Sequence, residues 1–230
     1  MNDGIFLRFT QKDAYKLLLI LLGFEVFLVI AYILDGFSPV ETPLRKLFNL
    51  DAEATLTSWF SALQLGLVGI VFLITWLGAR KTQIESRLYL LLIGLGFLFL
   101  SMDEAAEFHE KLTRVLRHVE WLPQMSGGIW IPIYFAIALV LGITVRRSLI
   151  LMWKTYPREV LIMAGGFTII LIGGVGLEIL THMFWKGQDP FMYKLEVIFE
   201  EFFEMAGASI LLYGTLLHAL RYPGFSKEIQ

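Results

Sequence analysis

The sequence predicts an all-α, polytopic membrane protein: a six-helix transmembrane bundle with both termini on the cytoplasmic side. Three observations predict it. Apolar blocks recur at the roughly 20-residue length that a helix needs to cross a bilayer. They lift the hydrophobic content to 57% and the mean hydropathy to +0.67, against about 45–50% apolar residues in soluble domains. Lys and Arg favour alternate connecting segments, and tryptophans gather at the block ends.

The first span is expected over Ala14–Leu34. Its apolar run, Leu17 to Leu34, exceeds a secretory h-region and no small-x-small cleavage site follows, so it reads as a helix that also directs insertion. The second covers Leu56–Leu77 and the fourth Ile129–Val145, both free of acids. The third, Leu88–Glu110, ends in Asp103, Glu104, Glu107, His109 and Glu110. The fifth, Val160–His182, ends in Glu178 and His182, and the sixth, Leu195–Leu220, begins with Glu196, Glu200, Glu201 and Glu204. These three are spans only if their acids are tolerated inside. No repeat, linker or low-complexity segment interrupts the chain, so residues 1–230 read as one transmembrane domain.

With the N-terminus inside, 12 of the 19 Lys and Arg fall on cytoplasmic segments, among them Arg80, Lys81, Arg146 and Arg147. Trp59, Trp121, Trp130 and Trp185 then lie at the outer interface, and Trp76 and Trp153 at the inner one. The expected location is a cytoplasmic membrane of bacterial type.

Composition excludes several classes. With no cysteine there are no disulfides, thiolate zinc sites, iron–sulfur clusters or thiol nucleophiles. Four histidines are too few for a histidine-rich metal motif. The net charge of −2 comes with no basic face, so nucleic acid is not an expected partner. No Ser–His pair and no phosphate-binding glycine loop stands out.

The chemistry is expected where the acids meet. Glu204 lies roughly 15 Å below Lys194, and Glu178 roughly 10 Å below Trp185, at about 1.5 Å per residue. The three clusters are therefore level, in the outer half of the bilayer. On a continuous third helix Asp103, Glu107 and Glu110 share a face within roughly 60° and His109 points away. Glu178 and His182 share a face at i, i+4, and Glu196, Glu200 and Glu204 form a stripe. Like charges so placed call for cations, protons or facing bases. Carboxylates with imidazole suit Fe, Mn or Zn, so Asp103, Glu107, Glu178, His182, Glu200 and Glu204 are the expected ligands of a divalent metal, although the Glu-x-x-His spacing of di-iron bundles is missing. Glu104, unligated, is the candidate general base.

The function expected from this site is a metal-dependent hydrolase or oxidoreductase acting on a lipid-soluble small molecule from the outer side, with membrane lipid as its surroundings. The alternatives are a proton- or cation-coupled transporter, or a non-catalytic subunit whose acids a partner neutralises. Four further features matter. Glu25 is a separate acid inside the first span, on a proton path or facing a partner. Ser58, Ser61 and Gln64 recur along the second span, lining a cavity or bridging helices. Gly165, Gly166, Gly173, Gly174 and Gly176 thin the fifth for close packing. Leu112–Leu122 has the pattern of an amphipathic surface helix, and with Pro123 and Gly127-Gly128 it forms either a lid or a plain connector.

Overall fold

The computed structural model describes residues 9–35, 46–52, 54–79, 87–119, 129–177, 179–180 and 190–222. Among them the chain is helical, with no strand. We number the helices α1 (Gln11–Asp35), α2 (Leu56–Gly78), α3 (Arg87–Ala106), α4 (Phe108–Leu116), α5 (Trp130–Thr155), α6 (Pro157–Ile170) and α7 (Pro190–Ala219). A π-helical segment, Leu171–Leu177, continues α6. Five helices are long and apolar enough to cross a membrane: α1, α2, α3, α5, and α6 with its π segment. They make this an integral membrane protein.

Helix α7 is the hub. It packs against α1, α2, α6 and the π segment, while α2 pairs with α3. Its second half is almost wholly buried, including Met205, Ala208, Ser209, Leu212, Thr215 and Leu217. Lipid is as apolar as leucine, so helices in a bilayer gain little by hiding leucines from it; close packing and polar contacts hold them together. Glycine supplies the closeness between α6 and α7. A Cβ on Gly166 would meet the Leu211 backbone nitrogen at 2.5 Å and the Gly207 oxygen at 2.6 Å, and one on Gly207 would meet the Gly166 oxygen at 2.7 Å. Gly173 lies similarly on the Glu200 carbonyl. The expected close packing is present at Gly166, Gly173 and Gly174, whereas a Cβ on Gly165 would point into open space.

α5 is peripheral. It touches α3, α4 and α6 only lightly, and Phe135, Ile137, Leu139, Val140 and Ile143 along it are exposed. Its helix does not stop at Val145 as hydropathy suggested. It runs through Arg146 and Arg147 to Thr155, because Val145, Ser148 and Met152 form a buried i, i+3, i+7 stripe that keeps these turns on the bundle. Tyr156 alone joins α5 to α6, with Pro157 at the first helical turn, where a missing N–H costs nothing.

Two other expectations change. Ser58 lines no cavity: it forms a capping box with Thr55 at the start of α2. The buried polar stripe on that helix is Thr57, Ser61 and Gln64 instead. The third span is not one helix to Glu110. It breaks at Glu107, which takes a left-handed conformation with φ 52° and ψ 43°.

Candidate functional site at the α3–α4 break

A left-handed non-glycine residue costs about 1–2 kcal/mol, so both flanks of the break must offset that. Breaking a helix exposes carbonyls on one side and N–H groups on the other. The Lys111 Nζ donates to the carbonyl of Ala106, the last residue of α3, at 2.6 Å. The backbone N–H of His109, in the first turn of α4, donates to Asp103 Oδ1 at 2.8 Å. A carboxylate at a helix N-terminus also faces the favourable end of the macrodipole.

The break folds His109 back onto Asp103. Its Nδ1 lies 3.1 Å from Asp103 Oδ2. Tyr134, from α5, donates its hydroxyl to Asp103 Oδ1 at 3.0 Å. Three donors thus converge on one carboxylate. Trp130 closes the other side: its ring centre is 5.1 Å from that of His109 and 5.4 Å from that of Tyr134. Asp103 is buried, whereas the His109 side chain keeps 29% of its surface exposed.

The chemistry follows from the tautomer. Asp103 only accepts, so the neutral imidazole carries its proton on Nδ1, and Nε2 presents a lone pair. Burial pulls the His109 pKa down, but the hydrogen bond and charge of Asp103, with the charges of Glu104 and Glu110, pull it up further; the net position is above the ordinary histidine value. An imidazole oriented by a carboxylate in this way is the arrangement that general-base chemistry uses.

The expected residues are distributed as follows. Asp103 spends both oxygens on protein donors. Glu104 is half-buried and close enough for its charge to act on His109. Glu107 is the hinge, so it no longer shares a helical face with Asp103 and Glu110. Glu200 and Glu204 are half-buried on α7. The Glu204 carboxylate lies against the π segment, where a Cβ on Gly174 would come within 3.1 Å of its Cδ. Glu178 and His182 lie outside the described residues. Among the described residues no three His, Asp or Glu side chains form a group able to hold a metal ion, so Asp103, Glu107, Glu200 and Glu204 do not assemble as a ligand set by themselves. Of the amphipathic helix expected over Leu112–Leu122, only residues 112–116 are helical, as the second half of α4; Arg117–Val119 leave the helix, and residues 120–128, on which a lid depended, lie outside the described ones.

Sequence reasoning missed His109 as the partner of Asp103, and Tyr134 and Trp130 as its neighbours. Six positions apart on an unbroken helix, residues 103 and 109 point about 120° apart, and no glycine or proline marks the break. The visible signal was the density of Asp103, Glu104, Glu107 and Glu110, which disfavours a continuous buried helix.

The chain belongs to the family described as Domain of unknown function (DUF8692), whose model matches residues 12–220. No curated protein and no solved structure matches it.

Proposed function

We propose that the protein is a membrane-embedded enzyme whose working site is the α3–α4 break, with His109 as general base, acting on a lipid-soluble substrate. The Asp103–His109 pair carries this reading: a buried carboxylate fixes the tautomer and orientation of a partly exposed imidazole at the end of a bundle. Trp130 and Tyr134 give the pair an apolar wall on the side of α5, a helix whose apolar side chains are largely exposed. This assigns the proton-transfer role to His109 and leaves Glu104 to tune it by charge. In this reading α7 is the sixth crossing, both termini are cytoplasmic, and the site faces the extracytoplasmic side, as the Lys and Arg distribution favours.

A divalent metal, Fe, Mn or Zn, belongs to the proposal at the neighbouring acids. Its support is local: Glu204 lies against a π segment that ends one residue before Glu178, and π turns inside α-helices concentrate at functional sites. Glu178, His182, Glu200 and Glu204 would be its ligands, and Asp103, occupied by three protein donors, would orient the base instead.

The test uses protein reconstituted in liposomes and fed fractionated lipid extracts, with products read by mass spectrometry and metal content read in parallel. A product that forms with wild-type protein and not with His109→Gln supports the base assignment; equal turnover in that variant refutes it. A stoichiometric metal lost in Glu204→Gln supports the metal, and turnover by metal-free protein removes it while leaving the base in place.

A further inference from the structure

Away from the α3–α4 break, one acid lies in the bundle core. Glu25 is fully buried in α1, about ten residues or roughly 15 Å of helix from the Asp35 end, close to the middle of a hydrocarbon layer some 30 Å thick. Gln64 Nε2 donates to its Oε1 at 2.9 Å and Ser209 Oγ donates to the same atom at 2.6 Å. Gln64 Nε2 also lies 2.7 Å from Ser209 Oγ and 3.3 Å from the Met205 carbonyl. These acceptors around the nitrogen fix the amide orientation, since a flip would set oxygen against oxygen.

That arrangement leaves two oxygens over. Glu25 Oε2 and Gln64 Oε1 are buried without a hydrogen-bond partner. Among the described residues no Lys, Arg or His pairs with Glu25. An uncompensated carboxylate at mid-membrane is costly by any measure, and it persists only if something neutralises it.

We propose that Glu25, Gln64 and Ser209 form an occluded binding site for one small monovalent cation, Na⁺ or a proton, seated at Glu25 Oε2. The charge count selects the valence. One carboxylate and neutral oxygen donors balance a single positive charge, whereas a divalent ion would leave a net charge in the apolar core. The two atoms left over, Glu25 Oε2 and Gln64 Oε1, are both oxygens, which suits a hard cation. Occlusion follows from the neighbouring turns. Toward one end Leu28, Phe60 and Met205 pack into a closed apolar layer; toward the other, Val68 and Leu212 belong to the main core. This site is independent of the α3–α4 break and stands whether or not the enzyme reading does.

The experiment takes the full chain, purified in detergent, with two probes. The first is equilibrium binding of ²²Na⁺ in a choline background. The second is infrared spectroscopy of the protonated-carboxyl stretch, which an ionised glutamate lacks. Saturable ²²Na⁺ binding that falls at least about tenfold in Glu25→Gln, equivalent to 1.4 kcal/mol, identifies Na⁺. No ²²Na⁺ binding, with a protonated-carboxyl band that vanishes in Glu25→Gln, identifies the proton. Should that variant fail to fold, Ser209→Ala replaces it: losing one donor to Glu25 weakens ²²Na⁺ binding several-fold or moves the band in frequency. Neither bound ²²Na⁺ nor a protonated-carboxyl band in the wild-type protein overturns the proposal, and that measurement needs no variant.

Discussion

Two adjacent glycines in α6 should respond in opposite directions to the same substitution. Gly166 faces α7, where an added Cβ would come within 2.5 Å of the Leu211 nitrogen, 2.6 Å of the Gly207 oxygen and 2.9 Å of the Leu211 Cα. All three are backbone atoms, so no side chain can rotate away, and carbon needs about 3.5 Å or more from such atoms. The helices must separate by roughly 1 Å, loosening the packing that associates them. Overpacking of this kind costs about 1–3 kcal/mol. At Gly165 an added Cβ meets nothing within 4 Å, and alanine there gains up to about 0.8–1 kcal/mol of helix propensity. Gly166→Ala should therefore unfold earlier than wild type and Gly165→Ala no earlier, the two differing by about 1–3 kcal/mol, because the propensity gain is common to both. Thermal or denaturant unfolding of the purified protein in one detergent measures both. Equal stabilities for the neighbours would refute the α6–α7 register, because that register gives the two positions opposite surroundings.

Three further outcomes are expected. His109, with its pKa raised in the folded state by Asp103, Glu104 and Glu110, should contribute stability that is complete below the unfolded value near 6.5 and lost as pH rises through the folded one; Asp103→Asn should flatten that loss and lower the imidazole pKa followed by NMR. Gly174→Ala puts a methyl where the Glu204 carboxylate now lies, so it should abolish whatever Glu204 binds, read as metal content, while Gly142→Ala, with nothing within 4 Å, leaves that content unchanged. Arg221 donates to Glu159 Oε1 through Nε at 2.9 Å, and the Glu159 side chain is only 4% exposed; Arg221→Ala should destabilise the protein by about 1–3 kcal/mol, and the double variant with Glu159→Gln should recover much of it in a thermal unfolding series.

Hydropathy located the helices because the signal is collective: some twenty residues each contribute to one expectation, and α1 and α2 match theirs within three residues at each end. The same averaging hides events that turn on single side chains. The break at Glu107 depends on Asp103 reaching a backbone N–H six residues ahead and on Lys111 reaching back to Ala106, and no window average registers either. Extension of α5 past Arg146 depends on Ser148 and Met152 finding a surface to pack on, which is tertiary information. Glycine fared better: small residues in a membrane helix have few uses besides close approach, so a close contact was legible in Gly166, Gly173 and Gly174, though not that its partner is α7. The candidate site was legible as a place and not as an arrangement, since helical phase holds only while the helix does.

The inverted economy of a membrane protein accounts for which helix sits at the centre. In water the most apolar helix would be innermost. Here α1, α3 and α5 leave most of their apolar surface outward, and α7, carrying Glu200, Glu201, Glu204, Ser209, Thr215 and His218, is surrounded. Polar groups that lipid cannot solvate are the ones that gain from neighbours, and the small faces at Gly207 and Gly214 let α6 approach to provide them. The same logic sets the rotation of α1. Of its 25 residues only Ala14, Glu25 and Leu28 are buried, so a nearly uniform apolar cylinder is turned by one carboxylate toward α2 and α7. Glu25→Leu should thus remove the main constraint on α1 rotation, and cysteine crosslinking between α1 and α7 should spread from one pair of positions to several around the α1 helix. A crosslinking pattern that stays confined to the original pair would mean that Ala14 and Leu28 hold α1 in place and that the polar contact is incidental.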